Sequence, residues 1–220
     1  MKDTDEFDDV TRTRLLASAL LRILWLVLLY TVALWFSLRH GEHLPSTTWV
    51  SLPLQVAFVV VTLDFLRSTG LPARAFGLTR HALAADIGVG LRVALPLVAG
   101  VVGLKWILLP DRCLFEPSTS LWLLPLYLLS VVLQELVLRG GIQNMLGRLL
   151  PGRRPGGHAL LLASALFAVT HLHLSGAVAV ASLPLGLLWG ALYARQRRLG
   201  GVVACHFVVG AVSFFLVGVE

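Results

Sequence analysis

Seven long apolar runs constrain the fold of this chain more than any other feature. A helix needs about 20 apolar residues to cross a bilayer. The candidate spans, which short loops separate, cover residues 15–38, 48–66, 82–109, 120–140, 159–175, 177–194 and 201–218. The sequence therefore predicts an all-α membrane bundle of about seven transmembrane helices, a single domain over residues 1–220 with a polar tail at 1–14.

Composition supports the membrane class and argues against nucleic acid as a partner. The chain is 57% hydrophobic and only 14% charged, whereas soluble domains have about 45–50% apolar and about 25% charged residues. The net charge is +6, but the basic residues sit in short loops and form no single basic face. Because such loops lie beside lipid headgroups, anionic lipids are the partner that this charge predicts.

The loop charges predict the orientation of the chain. Basic residues concentrate in cytoplasmic loops. If the N-terminus is cytoplasmic, only Arg39 and Arg112 lie in outside loops, and the inside segments contain Lys2, Arg12, Arg14, Arg67, Arg74, Arg80, Arg148, Arg153, Arg154, Arg195, Arg197 and Arg198. This asymmetry predicts a cytoplasmic N-terminus. The acidic start of the chain does not match a cleavable signal peptide, so we expect the first span to remain in the protein.

The fourth span carries ionisable side chains where lipid would be. Glu135 and Arg139 are four residues apart, which places them on one helix face within reach of an ion pair. Gln134 lies about 100° round the same helix. A charge in the bilayer costs about 3 kcal/mol on insertion scales, so it usually faces a functional site. The pair could also be structural and lock one helix to its neighbours.

Two histidines in other spans extend this set. His171 lies near the middle of the fifth predicted span, four residues after Phe167, and His206 lies in the last span. A single buried histidine is often a packing residue, but two together with Glu135 favour a common water-accessible pocket. A carboxylate and a histidine can activate a water to attack a carbonyl, while a second histidine donates to the oxyanion.

Zinc binding by the same residues is the less favoured alternative. Two histidines and a glutamate, here His171, His206 and Glu135, hold zinc in some proteases. The chain contains no His-Glu-x-x-His pattern. We therefore expect neither a metal nor another cofactor.

These residues resemble the motifs of the CAAX-protease and bacteriocin-processing (Abi) membrane proteins. That family carries Glu-Glu-x-x-x-Arg, Phe-x-x-x-His and His-x-x-x-Asn on successive helices. Residues 134–139 are similar to the first motif, 167–171 to the second, and the approach to His206 to the third. The resemblance covers about residues 120–218.

The resemblance implies an intramembrane endopeptidase of the glutamic type. Its helices would enclose a cavity that opens to the cytoplasm, with Arg139 and Phe167 supporting the site. The substrate would be a membrane-associated peptide or protein, possibly lipidated, and we expect the bacterial cell (inner) membrane as the location. Two positions depart from the family pattern: Gln134 replaces the first glutamate, which is thought to activate the water with the histidine, and Gly210 replaces the asparagine that donates to the oxyanion.

Three functions remain open from the sequence. In the favoured one, a peptidase, Glu135 is the base, His171 assists it, Gln134 holds the water and His206 stabilises the oxyanion. The second is a catalytically impaired relative that binds a membrane peptide or acts in immunity or as a scaffold. The third is a small transporter or proton relay, which the lack of internal repeats disfavours.

Overall fold

The described part of the chain is helical. The computed structural model describes residues 9–40, 56–57, 59–61, 63–64, 67–68, 70, 72–108, 121–150, 155–172 and 174–216. Its α-helices are α1 (Asp9–His40), α2 (Leu83–Leu108), α3 (Leu124–Glu135), α4 (Asn144–Leu149), α5 (Pro155–Val169), α6 (Gly176–Gln196) and α7 (Gly200–Ala211). Short 3₁₀ turns cover Ala73–Phe76 and Leu121–Leu123, and π-helical segments cover Leu136–Gln143 and Val212–Leu216.

The helices agree with most of the predicted spans. Three of them are long and apolar enough to cross a bilayer: Leu83–Leu108, Leu124–Leu149 and Gly176–Gln196. Two shorter apolar helices, Gly156–Val169 and Gly200–Phe215, fall in the fifth and seventh predicted spans. Helix α1 contains the first span, and the second, 48–66, lies largely outside the described residues. An all-α membrane fold follows, while the total of seven spans and the cytoplasmic N-terminus stay predictions.

The segment that carries the first motif is one continuous helix with a π-helical middle. Helix α3 passes through Leu136–Gln143 into α4, and the helix ends where Leu150 becomes extended. A Cβ on Gly140 would lie 2.7 Å from the Phe76 carbonyl oxygen. The glycine thus allows the Ala73–Phe76 turn to lie directly against the π-helical segment, whose side chains are almost all buried.

Helix α7 packs closely against α2. A Cβ on Gly90 would overlap the backbone of Gly201, so the two helices approach at backbone contact distance. Arg198, just before α7, pairs with the buried carboxylate of Asp86 on α2 at 2.7 Å. These contacts fix the position of α7, which carries His206.

Helices α5 and α6 form the other side of the core. Gly186 faces Ser164 and Phe167, whose atoms would lie 3.2–3.3 Å from an added Cβ. Gly190 lies against Leu160 in the same way. Small residues at these points bring α6 close enough to place Phe167 in the centre of the bundle, where its side chain is fully buried.

Candidate active site

The centre of the site is the carboxylate of Glu135, which lies at the end of α3. Its side chain is 0% exposed. Oε1 lies 2.7 Å from Nδ1 of His206 on α7, and Oε2 accepts a hydrogen bond of 3.1 Å from Nε of Arg139. The i, i+4 pair expected from the sequence is therefore present, and His206 joins it from another helix.

Arg139 continues this network into the neighbouring helix. Its Nη1 donates to Oε1 of Gln143 at 3.4 Å, and the Gln143 amide donates to the Gly190 carbonyl at 2.8 Å. All of these side chains are buried. The sequence analysis missed Gln143, although its position four residues after Arg139 was the available signal. The network connects the π-helical segment to α6 through hydrogen bonds.

Aromatic rings enclose His206. The indole of Trp189 stacks on the imidazole with centroids 4.0 Å apart and an interplanar angle of 17°. The Phe167 ring meets the imidazole edge to face at 5.5 Å, and the guanidinium of Arg139 lies 5.7 Å from the same ring. The sequence analysis did not predict a role for Trp189. Because the ring is held on two sides, its orientation toward Glu135 is fixed.

His171 lies at a different place from the one expected. Helix α5 ends at Val169, and His171 is in the turn that follows rather than in the middle of a span. Its Nδ1 lies 2.8 Å from the Phe167 carbonyl oxygen, and the Thr170 hydroxyl donates to that oxygen at 2.7 Å. Such side-chain bonds to the last carbonyls compete with the helix and help to end it.

Phe167 connects His171 to the rest of the site. The His171 ring lies 4.4 Å from the Phe167 ring, which in turn touches His206. The imidazole is half-buried, whereas Glu135 and His206 are buried. The structure thus places Arg139 and His206 in direct contact with Glu135. His171 contacts the Phe167 ring, which in turn contacts His206.

Gln134 points along its own helix. Its Nε2 donates to the Ser130 hydroxyl at 2.9 Å, and both side chains are partly buried. The amide lies about 100° round the helix from Glu135. A neutral amide can orient a water but cannot take its proton.

The Tyr127 hydroxyl fills the space beside Gly210. A Cβ on Gly210 would overlap that hydroxyl, so the glycine leaves room for a tyrosine from α3. The Tyr127 ring packs against Phe207, Phe214 and Phe215 with centroids 5.6–6.4 Å apart. Gly210 is one helical turn beyond His206. The sequence analysis missed Tyr127, and its only signal was a glycine at a motif position that normally carries a side chain.

The less favoured alternative, a zinc site, gains no support from the positions of the side chains. Within the described residues, no group of three His, Cys, Asp or Glu side chains is placed to hold a metal ion. The expectation that the protein uses no metal or cofactor stays a prediction.

A comparison with protein families identifies the same region of the chain. Residues 116–212 match the family described as type II CAAX prenyl endopeptidase, Rce1-like. The match confirms the family that the three motifs indicated and nearly coincides with the predicted region of resemblance. No curated protein and no solved structure matches the chain significantly.

Removal of Arg139 should destabilise the bundle, because it leaves a buried carboxylate without its strongest partner. We expect Arg139→Leu to lower the free energy of unfolding by about 3–5 kcal/mol. The double variant Arg139→Leu, Glu135→Gln should recover part of this loss, because it removes the unpaired charge. Reversible unfolding in mixed micelles measures both changes.

The matched control is Arg92→Leu, which removes an exposed arginine that donates to the Gly88 carbonyl of its own helix. We expect this variant to unfold like the wild type. Equal stability of Arg139→Leu and Arg92→Leu would contradict a structural role for the Glu135–Arg139 pair.

Proposed function

Because its region 116–212 is Rce1-like, we propose that the protein is an intramembrane endopeptidase that hydrolyses a peptide bond with a water activated by Glu135 and His206. The observation that supports this most is the 2.7 Å contact between the Glu135 carboxylate and Nδ1 of His206 across two helices. A carboxylate that orients a histidine is the arrangement by which hydrolytic enzymes prepare a general base.

The hydrogen bond determines which nitrogen of His206 can react. An ionised carboxylate only accepts hydrogen bonds, so Nδ1 carries the proton and Nε2 keeps its lone pair. In our proposal, Nε2 takes a proton from a water molecule while the resulting hydroxide attacks the scissile carbonyl carbon. The positive charge on the imidazolium is stabilised by Glu135. His206 then gives the proton to the leaving amine.

This proposal changes the role that the sequence suggested for Glu135. Both of its oxygens already have partners, and the side chain has no exposed surface. The direct neighbours of the carboxylate are thus a guanidinium and the Nδ1 side of an imidazole, whose other nitrogen, Nε2, points away from the pair. We propose that Glu135 acts through His206 rather than as the base itself, and that His206 is the base rather than the oxyanion donor.

The oxyanion then needs another donor, for which we propose the Tyr127 hydroxyl. It stands beside Gly210, one turn from His206, where the family pattern has an asparagine. A hydroxyl aimed at the developing charge stabilises the transition state. The supporting residues keep the roles expected from the sequence: Gln134 orients the water, His171 assists from the edge of the site, and Arg139 and Phe167 hold the pair in place.

We propose a membrane-associated peptide or protein as the substrate, with a prenyl or other lipid group as an attached anchor. The description of the matched family, a prenyl endopeptidase, supports this choice. Exposed leucines, valines and tryptophans cover the outer faces of the helices, which suits a substrate that arrives through the bilayer.

A catalytically impaired, peptide-binding relative remains the second candidate. The replacement of the motif glutamate by Gln134 favours it, because this removes the one carboxylate that the family pattern places beside Glu135. The family match gives no support to the transporter alternative.

Loss of the Glu135 charge should abolish most of the cleavage. We expect Glu135→Gln to reduce the turnover of a farnesylated fluorogenic peptide in proteoliposomes by about 10⁴-fold, since the amide can hold His206 in the wrong tautomer. His206→Ala should be at least as slow. The control His158→Ala removes an exposed histidine and should cleave like the wild type.

Two outcomes of this assay would contradict the peptidase proposal. Undiminished turnover in both site variants would exclude the Glu135–His206 pair as the source of the activity. A wild-type protein that cleaves no lipidated peptide, while Gln134→Glu gains cleavage, would favour the impaired relative.

Removal of the Tyr127 hydroxyl tests the proposed oxyanion donor. We expect Tyr127→Phe to lower kcat by about 10²-fold with little change in KM, because only the transition state uses the hydroxyl. The ring contacts with the phenylalanines remain, so the fold should be intact. Tyr127→Ala should be as slow as Tyr127→Phe.

A double variant provides the matched comparison. In Tyr127→Ala, Gly210→Asn, the smaller side chain opens space for an amide donor, and we expect at least tenfold more activity than in Tyr127→Ala alone. Wild-type kcat in Tyr127→Phe would exclude the hydroxyl from the reaction.

A further inference from the structure

Two arginines, one on α4 and one just after the end of α6, converge on one neutral oxygen. Arg148 on α4 donates from Nε to Oδ1 of Asn144 at 3.5 Å, and Arg197 donates from Nη1 to the same atom at 3.2 Å. Asn144 is itself fixed, because its amide donates to the Ala75 carbonyl at 2.6 Å. The two positive charges therefore share an acceptor that carries no charge.

Within the described residues, neither of these arginines has a carboxylate partner. The nearby Arg198 differs, because it pairs with Asp86. Like charges that share a site without a counter-charge repel each other. An anion between the two guanidinium groups would remove this repulsion.

A buried hydroxyl beside the arginines also lacks a partner. Tyr193 is 1% exposed, and no described group bonds to its hydroxyl. Tyr193 stands one helical turn before Arg197, whose N–H bonds to the Tyr193 carbonyl at 2.7 Å. Most buried polar groups in proteins are hydrogen-bonded, and those that are not point to a missing ligand or water. An anionic oxygen between the arginines could accept this third hydrogen bond.

The backbone at Arg197 adopts a conformation that is unfavourable for a residue with a side chain. Arg197 follows the last residue of α6 with φ 55° and ψ 27°, the left-handed conformation in which glycine is usual. Its N–H closes the helix by bonding to the Tyr193 carbonyl at 2.7 Å. Glycine would make the same turn without strain, so an arginine at this position costs stability.

We propose that Arg148, Arg197 and the Tyr193 hydroxyl form a binding site for a phosphate group. Guanidinium groups bind phosphate oxygens through paired hydrogen bonds, and each arginine uses only one nitrogen on Asn144. Arg148 and Arg197 belong to the segments that the loop charges predict to be cytoplasmic. The phosphate could belong to an anionic lipid of the inner leaflet or to a soluble phosphate compound. This proposal does not depend on the peptidase activity.

The variant Arg197→Gly tests this site without damage to the fold. Glycine relieves the backbone strain, so the melting temperature of the lipid-free protein in detergent should be unchanged or higher. Native mass spectrometry compares the binding of phosphatidylglycerol with that of phosphatidylcholine carrying the same acyl chains. The affinity for phosphatidylglycerol should fall by about tenfold or more, because the variant loses one charge-assisted hydrogen bond. Arg148→Gln should weaken it similarly, and Tyr193→Phe less.

The control Arg195→Ala removes one positive charge from the exposed last turn of α6. We expect it to bind phosphatidylglycerol like the wild type, which separates a defined site from general surface charge. Competition by inorganic phosphate or glycerol 3-phosphate with affinity equal to that of the lipid would assign the site to a soluble compound. Weak competition would assign it to the lipid.

Two results would overturn the proposal. One is equal binding of phosphatidylglycerol and phosphatidylcholine, with no binding of either soluble phosphate. The other is a loss of binding in Arg195→Ala as large as that in Arg197→Gly.

Discussion

The Glu135 carboxylate, shared between Arg139 and His206, is the interaction on which the rest of the site depends. An isolated carboxylate in the interior of a membrane bundle is costly, and Arg139 and His206 offset that cost with a charge and hydrogen bonds. The same contacts hold the end of α3 against α7 and against the π-helical segment that carries Arg139. The contacts that stabilise the bundle are therefore the same ones that we propose to orient His206, so substitutions here should change stability and activity together.

The close approach of the helices makes this arrangement possible. Gly90 and Gly201 let α7 come near α2. Gly186 lets α6 come near α5, and Gly190 lets it come near the segment that carries Arg139. In lipid, helices associate through close packing and interhelical hydrogen bonds rather than through a hydrophobic driving force. The glycines, which take no part in the chemistry themselves, thus bring His206, Trp189 and Phe167 to the carboxylate.

The sequence predicted the local parts of this site better than its assembly. The spacing of Glu135 and Arg139 predicted an ion pair, because one helix determines that distance by itself. The contact with His206 depends on how two helices pack, and the motif order could only suggest it. His171 was placed within a span because the apolar pattern runs past it, yet Thr170 and the N-cap Ser175 mark the turn. Tyr127 could not be found by pattern, since its contact with Gly210 depends on how α3 and α7 pack.

The tautomer of His206 is the most direct test of the account. Nitrogen-15 NMR of protein with labelled histidine, in lipid nanodiscs at neutral pH, distinguishes a protonated from an unprotonated ring nitrogen, and His206→Ala assigns the signal. The account predicts a proton on Nδ1 held by Glu135, an unprotonated Nε2, and loss of this state in Glu135→Gln. A proton on Nε2 in the wild type, or a signal that Glu135→Gln does not change, would contradict the claim that the glutamate prepares His206 as the base.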